Sequence, residues 1–141
     1  MVVVLIIAIL IAIAIPQFLG ARQRAQDSAA KSDLRNALTA EKTSYTDTQK
    51  YTTTTATLLA IEPSLKWNPT GTVQGPTVSV GDVQTGDSNV VCLQEKSKSG
   101  TMFGIADIAA GSSAGTYYIK DTTGASVCST TVATVAAFPG W

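Results

Sequence analysis

The groups in this chain that could do chemistry are few and widely spaced. Among 141 residues there are two cysteines, Cys92 and Cys128, and no histidine. Without histidine, the commonest general base and the commonest metal ligand are both missing. Two thiolates cannot fill a four-ligand zinc site by themselves. The pair is either two buried thiols or, if the domain lies outside the cytoplasm, a disulfide. A bridge would close a loop of about 37 residues and contribute roughly 3–4 kcal/mol in the chain-entropy account. The carboxylates are scattered, with no pair at catalytic spacing on a rigid element, so the chain is expected not to be an enzyme and to need no cofactor. Asp82, Asp87 and Asn89 form the one acidic cluster near a turn. Their oxygens could hold calcium, but the spacing does not fit an EF-hand loop, and polar turn residues are the preferred reading.

Binding chemistry is equally sparse. Lys96 and Lys98 are the only close basic pair in the C-terminal part, and two cations make a weak nucleic-acid site. Lys+Arg and Asp+Glu number 10 each, so the formal net charge is zero. That balance gives no reason to expect nucleic acid as a partner, and it favours self-association because nothing holds copies apart. Charged residues make up 14% of the chain, well below the roughly 25% of average soluble proteins. The four threonines 52–55 are a compositional candidate for O-linked sugar. Phe18, Tyr45 and Tyr51 could align along neighbouring helices as an electron path, but core or interface packing is the simpler role for such rings.

The elements that carry these residues explain more than the residues do. Residues 1–15 read MVVVLIIAILIAIAI, and the first charge is Arg22. As a helix, the 21 uncharged residues before it would span roughly 31 Å, the thickness of a bilayer's hydrocarbon core. Eleven Val, Leu and Ile side chains fall in the first 15 positions. Burying each is worth roughly 1.5–3 kcal/mol, so the segment belongs in lipid or inside protein. Three readings fit this stretch alone: a cleaved signal peptide with Ala12-Ile13-Ala14 at the cleavage site, a membrane anchor, or a helix that leaves the membrane for the core of a polymer.

Residues 22–51 read as an amphipathic continuation. Ala21, Ala25, Ala29, Ala30, Leu34, Ala37, Leu38 and Tyr45 recur mostly at three- and four-residue spacing and predict one narrow apolar stripe. Arg22, Arg24, Lys31, Arg35, Lys42, Asp27, Asp33 and Glu41 are expected on the remaining, solvated surface. Pro16 lacks an N–H and clashes one turn back, at a cost of ~3 kcal/mol, and Gly20 weakens the helix again. A kink or unwound stretch is therefore expected between Ala14 and Gly20.

The run LIIAILIAIAIPQFLGARQRAQDSAAKSDLRNALTAEKTSY resembles the N-terminal helix of type IV pilins and the related secretion pseudopilins. The specific combination is an apolar block, then Ala-Ile-Pro, an aromatic, and an Ala-rich helix with Ser-Asp-Leu-Arg-Asn. The likeness covers residues 1–51. It implies a precursor cut by a prepilin peptidase, an inner-membrane stage, an ATP-driven assembly machine, and helical polymerisation outside the cell with the oily helices in the filament core. Such pilins carry a glutamate in a short motif ahead of the apolar block. Met1 here already lies inside the block, and no role is carried over for that glutamate.

The C-terminal part changes period. ATLLAIEPSL suggests a short helix or turn ending before Pro63, within a connecting loop over 52–76. From Thr77, β-branched residues at period two predict strands over 77–83, 89–95, 101–108, 116–121 and 126–129. Short turn-rich gaps between them indicate an antiparallel meander forming a head over 77–141. Cys92 and Cys128 fall in two of these strands.

The expected fold is thus α+β. A long N-terminal helix, with a filament-core half over 1–21 and a half over 22–51 that packs on the head, joins an antiparallel sheet. Val2, Leu5, Ile6, Ile9, Leu10, Ile13, Phe18 and Leu19 are the expected filament-core contacts, and Pro16 and Gly20 the expected helix break. The expected function is a structural pilus subunit whose partners are copies of itself. The alternatives are a pseudopilin of a type II secretion system and a monomeric membrane-anchored binding module.

Overall fold

The structure is a computed structural model and describes residues 1–68, 75–81, 88–128 and 140–141. One helix, α1 (Val2–Thr48), runs for 47 residues. A short helix, α2 (Thr55–Ile61), follows where a short helix or turn was expected. Among the described residues, five strands then form one sheet in chain order: β1 (Trp67–Asn68), β2 (Val78–Gly81), β3 (Val90–Lys96), β4 (Met102–Ile108) and β5 (Gly115–Asp121). Pairing from β2 to β5 is antiparallel throughout. β1 pairs parallel to β2, with Trp67 opposite Val78. The chain is an α+β fold in which a long helix lies on a mostly antiparallel sheet.

Of the kink or unwound stretch expected between Ala14 and Gly20, the unwound form is not adopted: α1 is helical through both Pro16 and Gly20. Pro16 takes one donor away from the carbonyl of Ala12, a local loss. Unwinding would strip several backbone groups of their partners in an apolar stretch that has none to offer. The first cost is the smaller one. At its other end α1 stops at Gln49, which takes a left-handed conformation (φ 57°) and returns its N–H to the carbonyl of Tyr45 at 2.8 Å. Thr39, Thr43, Thr46 and Thr48 each donate a hydroxyl to the carbonyl four residues back, so threonine-rich sequence is accommodated in a helix.

The core between α1 and the sheet uses Ala30, Leu34, Ala37, Leu38 and Ala40 from the helix. Against them lie Val78, Val80, Val91, Leu93, Phe103 and Ile105, with Leu58 and Leu65 closing one side. Buried helix positions 30, 34, 37, 41 and 44 alternate spacings of four and three, as one helix face requires. The expected stripe extended further, yet Ala21, Ala25 and Ala29 are exposed. A seven-residue strand is about 23 Å long, and five strands side by side are about as wide. Either dimension covers only about 15 residues of helix, so the sheet runs out before Ala29.

The opposite face of the sheet has its own small core of Cys92, Met102, Ala106, Ile119 and Val127. Cys92 and Cys128 are joined as a disulfide. The strand expected over 126–129 is not formed at residues 126–128, and Ser129 lies outside the described residues. A side chain replaces the ladder there. Buried Gln94 accepts at Oε1 from the backbone N–H groups of Val127 (2.9 Å) and Cys128 (3.1 Å) and from the Ser126 hydroxyl (2.9 Å). Gly104, next to this segment, has no room for a side chain: a Cβ there would stand 2.5 Å from Val127 Cγ2.

Gly104→Ala is therefore expected to destabilise the head by about 1–3 kcal/mol through overpacking. Adding Val127→Ala should recover part of that loss. Chemical denaturation of the single and double variants, followed by near-ultraviolet circular dichroism, checks both. A fully neutral Gly104→Ala would show that residues 126–128 do not sit where described.

Candidate assembly surface

The N-terminal half of α1 is open along its length. No residue before Ala30 is buried. Val2, Leu5, Ile6, Ile9, Leu10, Ile13, Phe18 and Leu19 are all exposed, from 53% at Ile6 to 71% at Phe18. Val3, Val4, Ile7, Ile11 and Ile15, in the same half of the helix, are similarly exposed. The apolar surface goes all the way round, so nothing within the chain selects one side of it. A helix apolar on every side is buried in protein or lipid, and this one is long and apolar enough to cross a membrane.

The head is fixed to the other half of the helix by ties at several heights. Lowest is Asp27, which accepts from the Ser99 hydroxyl in the turn after β3. Next come Lys31 and Arg35. Lys31 Nζ lies 5.0 Å from the Phe103 ring centre and 5.7 Å from that of Trp141, and the Arg35 guanidinium lies 5.2 Å from Trp141. Trp141 in turn donates its indole N–H to the carbonyls of Ile119 (2.8 Å) and Gly104 (3.1 Å) and meets Phe103 and Tyr118 edge to face. These charged residues were expected on the solvated surface; Arg35 is exposed and Asp27 and Lys31 are half-buried, and each also meets an aromatic ring or hydroxyl of the head.

The upper tie converges on Asp107 of β4, whose carboxylate is almost wholly buried. It pairs with Lys42 Nζ of α1 at 3.0 Å and accepts from the hydroxyls of Tyr51 and Thr116. Burial, then the hydrogen bond to Asp107, pushes the Tyr51 phenol well above its usual range. The Tyr51 ring packs on Tyr45 at 4.7 Å between centres, and Tyr45 donates to Asn89 at 3.0 Å. Phe18 does not join these rings, since 27 residues of helix separate it from Tyr45 by roughly 40 Å.

Glu41 departs most from expectation. It was placed on the solvated surface, but it is fully buried in the α1 seam. One carboxyl oxygen accepts the Thr52 N–H at 3.2 Å, and the other has no partner. Burial raises its pKa to about 7, partly offset by the Thr52 hydrogen bond. Glu95 in β3 is also buried with one oxygen unpartnered, and burial together with the negative charge of Asp33 raises it to about 8. The period-based reading assigns a face by residue type, and an acid placed on a buried position defeats it.

Asp82 and Asp87 of the acidic cluster lie outside the described residues. Among the described residues no group of three or more metal-ligating side chains comes together.

Two outcomes are expected from these acids and ties. Between about pH 4.5 and 8 the folded chain holds protons on Glu41 and Glu95 that the unfolded chain releases, so stability falls as pH rises through that window. Melting temperatures from pH 5 to 8.5 in detergent micelles should decline, and Glu41→Gln should flatten the slope; a slope unchanged in that variant would contradict the assignment. Separately, Asp107→Asn is expected to cost about 2–3 kcal/mol, because two part-buried hydroxyls and a cation lose a charged acceptor whose own carboxylate is buried. Lys42→Met should cost at most about 1 kcal/mol, since that ammonium is half exposed. Denaturant titrations of the two variants distinguish them.

Compared with protein-family models, curated proteins and solved structures, the chain gives no match in any of the three.

Proposed function

We propose that this chain is a structural subunit of the type IV pilin kind, which polymerises into a surface filament with its N-terminal half-helices forming the core. The observation that carries this reading is the apolar, exposed half of α1, continuous with a half that is tightly held by the head. A lone water-soluble particle could not keep that half exposed. In a polymer each copy covers the others, and transfer from bilayer to filament core exchanges one apolar surrounding for another at little net cost. The resemblance of residues 1–51 to pilin helices points the same way, as does a head stapled by a disulfide, which suits an oxidising exterior. The unassembled subunit would sit in the inner membrane, be processed by a prepilin peptidase and be handed to an assembly machine. This role calls for neither a catalytic group nor a cofactor.

Electron microscopy of material sheared from cells making the full chain tests the proposal. Long thin fibres that label for this chain are expected. Recovery from membrane fractions alone would instead favour a pseudopilin of a secretion system or a monomeric anchored module. Ile9→Lys places a charge at the middle of the apolar half, which costs about 2.5–3.5 kcal/mol in a membrane-like setting. It is expected to abolish fibres while leaving the near-ultraviolet spectrum of the head unchanged. Fibres of normal length and number from that variant would refute a core made of these helices.

A further inference from the structure

A cleft of about 500 Å³ opens between α1 and the edge of the head where β2 begins. Its charges are sorted by depth. Glu95 of β3 lines it at 2% exposure, with Oε2 accepting no hydrogen bond. Asp33 of α1, half-buried, faces the same space. Three cations, Arg22, Lys66 and Lys98, line the cleft from exposed positions, and none forms an ion pair with either acid. Ala29, Leu65 and Val78 give the lining apolar surface, beside the polar Gln26, Ser64 and Thr77.

A buried carboxyl with an unused oxygen beside a second acid is costly, and native proteins seldom keep one without a purpose. A bare metal ion does not suit this space. Calcium asks for six to eight oxygens, whereas two carboxylates are present, and the cleft is far roomier than one ion. The volume and the apolar surface call for a molecule with a stem. The acids within call for a cationic end, and the outer cations call for an anionic one.

We propose that this cleft binds an ω-amino acid zwitterion, a group with an ammonium at one end of a short methylene stem and a carboxylate at the other. The ammonium meets Glu95 and Asp33, the stem lies along Ala29, Leu65 and Val78, and the carboxylate rests among Arg22, Lys66 and Lys98. The same chemistry occurs in a free ω-amino acid and at the end of a peptide closing in lysine. Because Glu95 is protonated near neutrality in the empty cleft, an arriving ammonium displaces its proton to solvent, and affinity rises between pH 6 and 8.5. The site does not depend on the chain's polymerising.

Calorimetric titration of the full chain in detergent micelles at pH 8.5 with 6-aminohexanoic acid is the test. Saturable one-to-one binding is expected. Two half-probes, N-acetyl-6-aminohexanoic acid without the ammonium and 6-aminohexanamide without the carboxylate, should each bind at least about tenfold more weakly. Glu95→Gln and Asp33→Asn should each lose about tenfold in affinity, and Lys66→Ala with Lys98→Ala about threefold. An unaltered circular dichroism spectrum certifies the fold of each variant. Acetyl-glycyl-lysine with a free carboxylate, binding as tightly as 6-aminohexanoic acid, assigns the site to peptide ends; preference for 6-aminohexanoic acid assigns it to small zwitterions. Absence of saturable heat with 6-aminohexanoic acid, a half-probe as tight as the zwitterion, or undiminished affinity in Glu95→Gln overturns the proposal.

Discussion

Alanine and serine at 30, 37, 40 and 44 bring the α1 backbone close to β2, β3 and β4, and the rest of the head is arranged around this contact. Small residues leave little apolar area on the helix, so the larger side chains come from the sheet: Val80, Leu93, Phe103 and Ile105. The seam is short because the sheet is small. Its shortness leaves the first 29 residues of the chain without a buried position, and the burial that those residues require has to come from outside the chain.

Beyond the seam, the head is a sheet with two different covers. α1 covers one face. On the other, a segment with no strand of its own is held by a disulfide and by the carboxamide of Gln94, which takes three hydrogen bonds on one oxygen. This division explains why the central strands β3 and β4 are buried at nearly every position while β5 is largely open. It also explains the glycine at 104, where the second cover presses closest.

Much of this was legible in the sequence. Hydrophobic period and turn residues located α1, α2 and the four longer strands to within a residue or two at most ends, and they placed an apolar helix face against the sheet. β1 escaped because two residues carry no period. Residues 126–128 read as a strand because Val127 and Cys128 are apolar and flanked by small residues, yet a glutamine 32 residues earlier does the bonding. Unwinding was read from Pro16 and Gly20, whose local costs are smaller than that of stranding several backbone groups in an apolar stretch. In the apolar half of α1, the residue types were plain and the choice among its faces was not. Burial of Glu41 and Glu95 left no local signal, since an acid at a seam position looks like any other helix or strand acid until its neighbours are known.

The ties between helix and head are strung out along the helix axis, not gathered at one point. Asp27, which accepts from the Ser99 hydroxyl, and Lys42, which pairs with Asp107, are 15 residues apart, about 22 Å of rise. A force that draws on the N-terminal half of α1 therefore runs parallel to a row of fastenings and loads them together in shear. Fastenings gathered at one end would instead peel apart in turn. Arranged this way, individually modest contacts act as a single mechanical joint between rod and head.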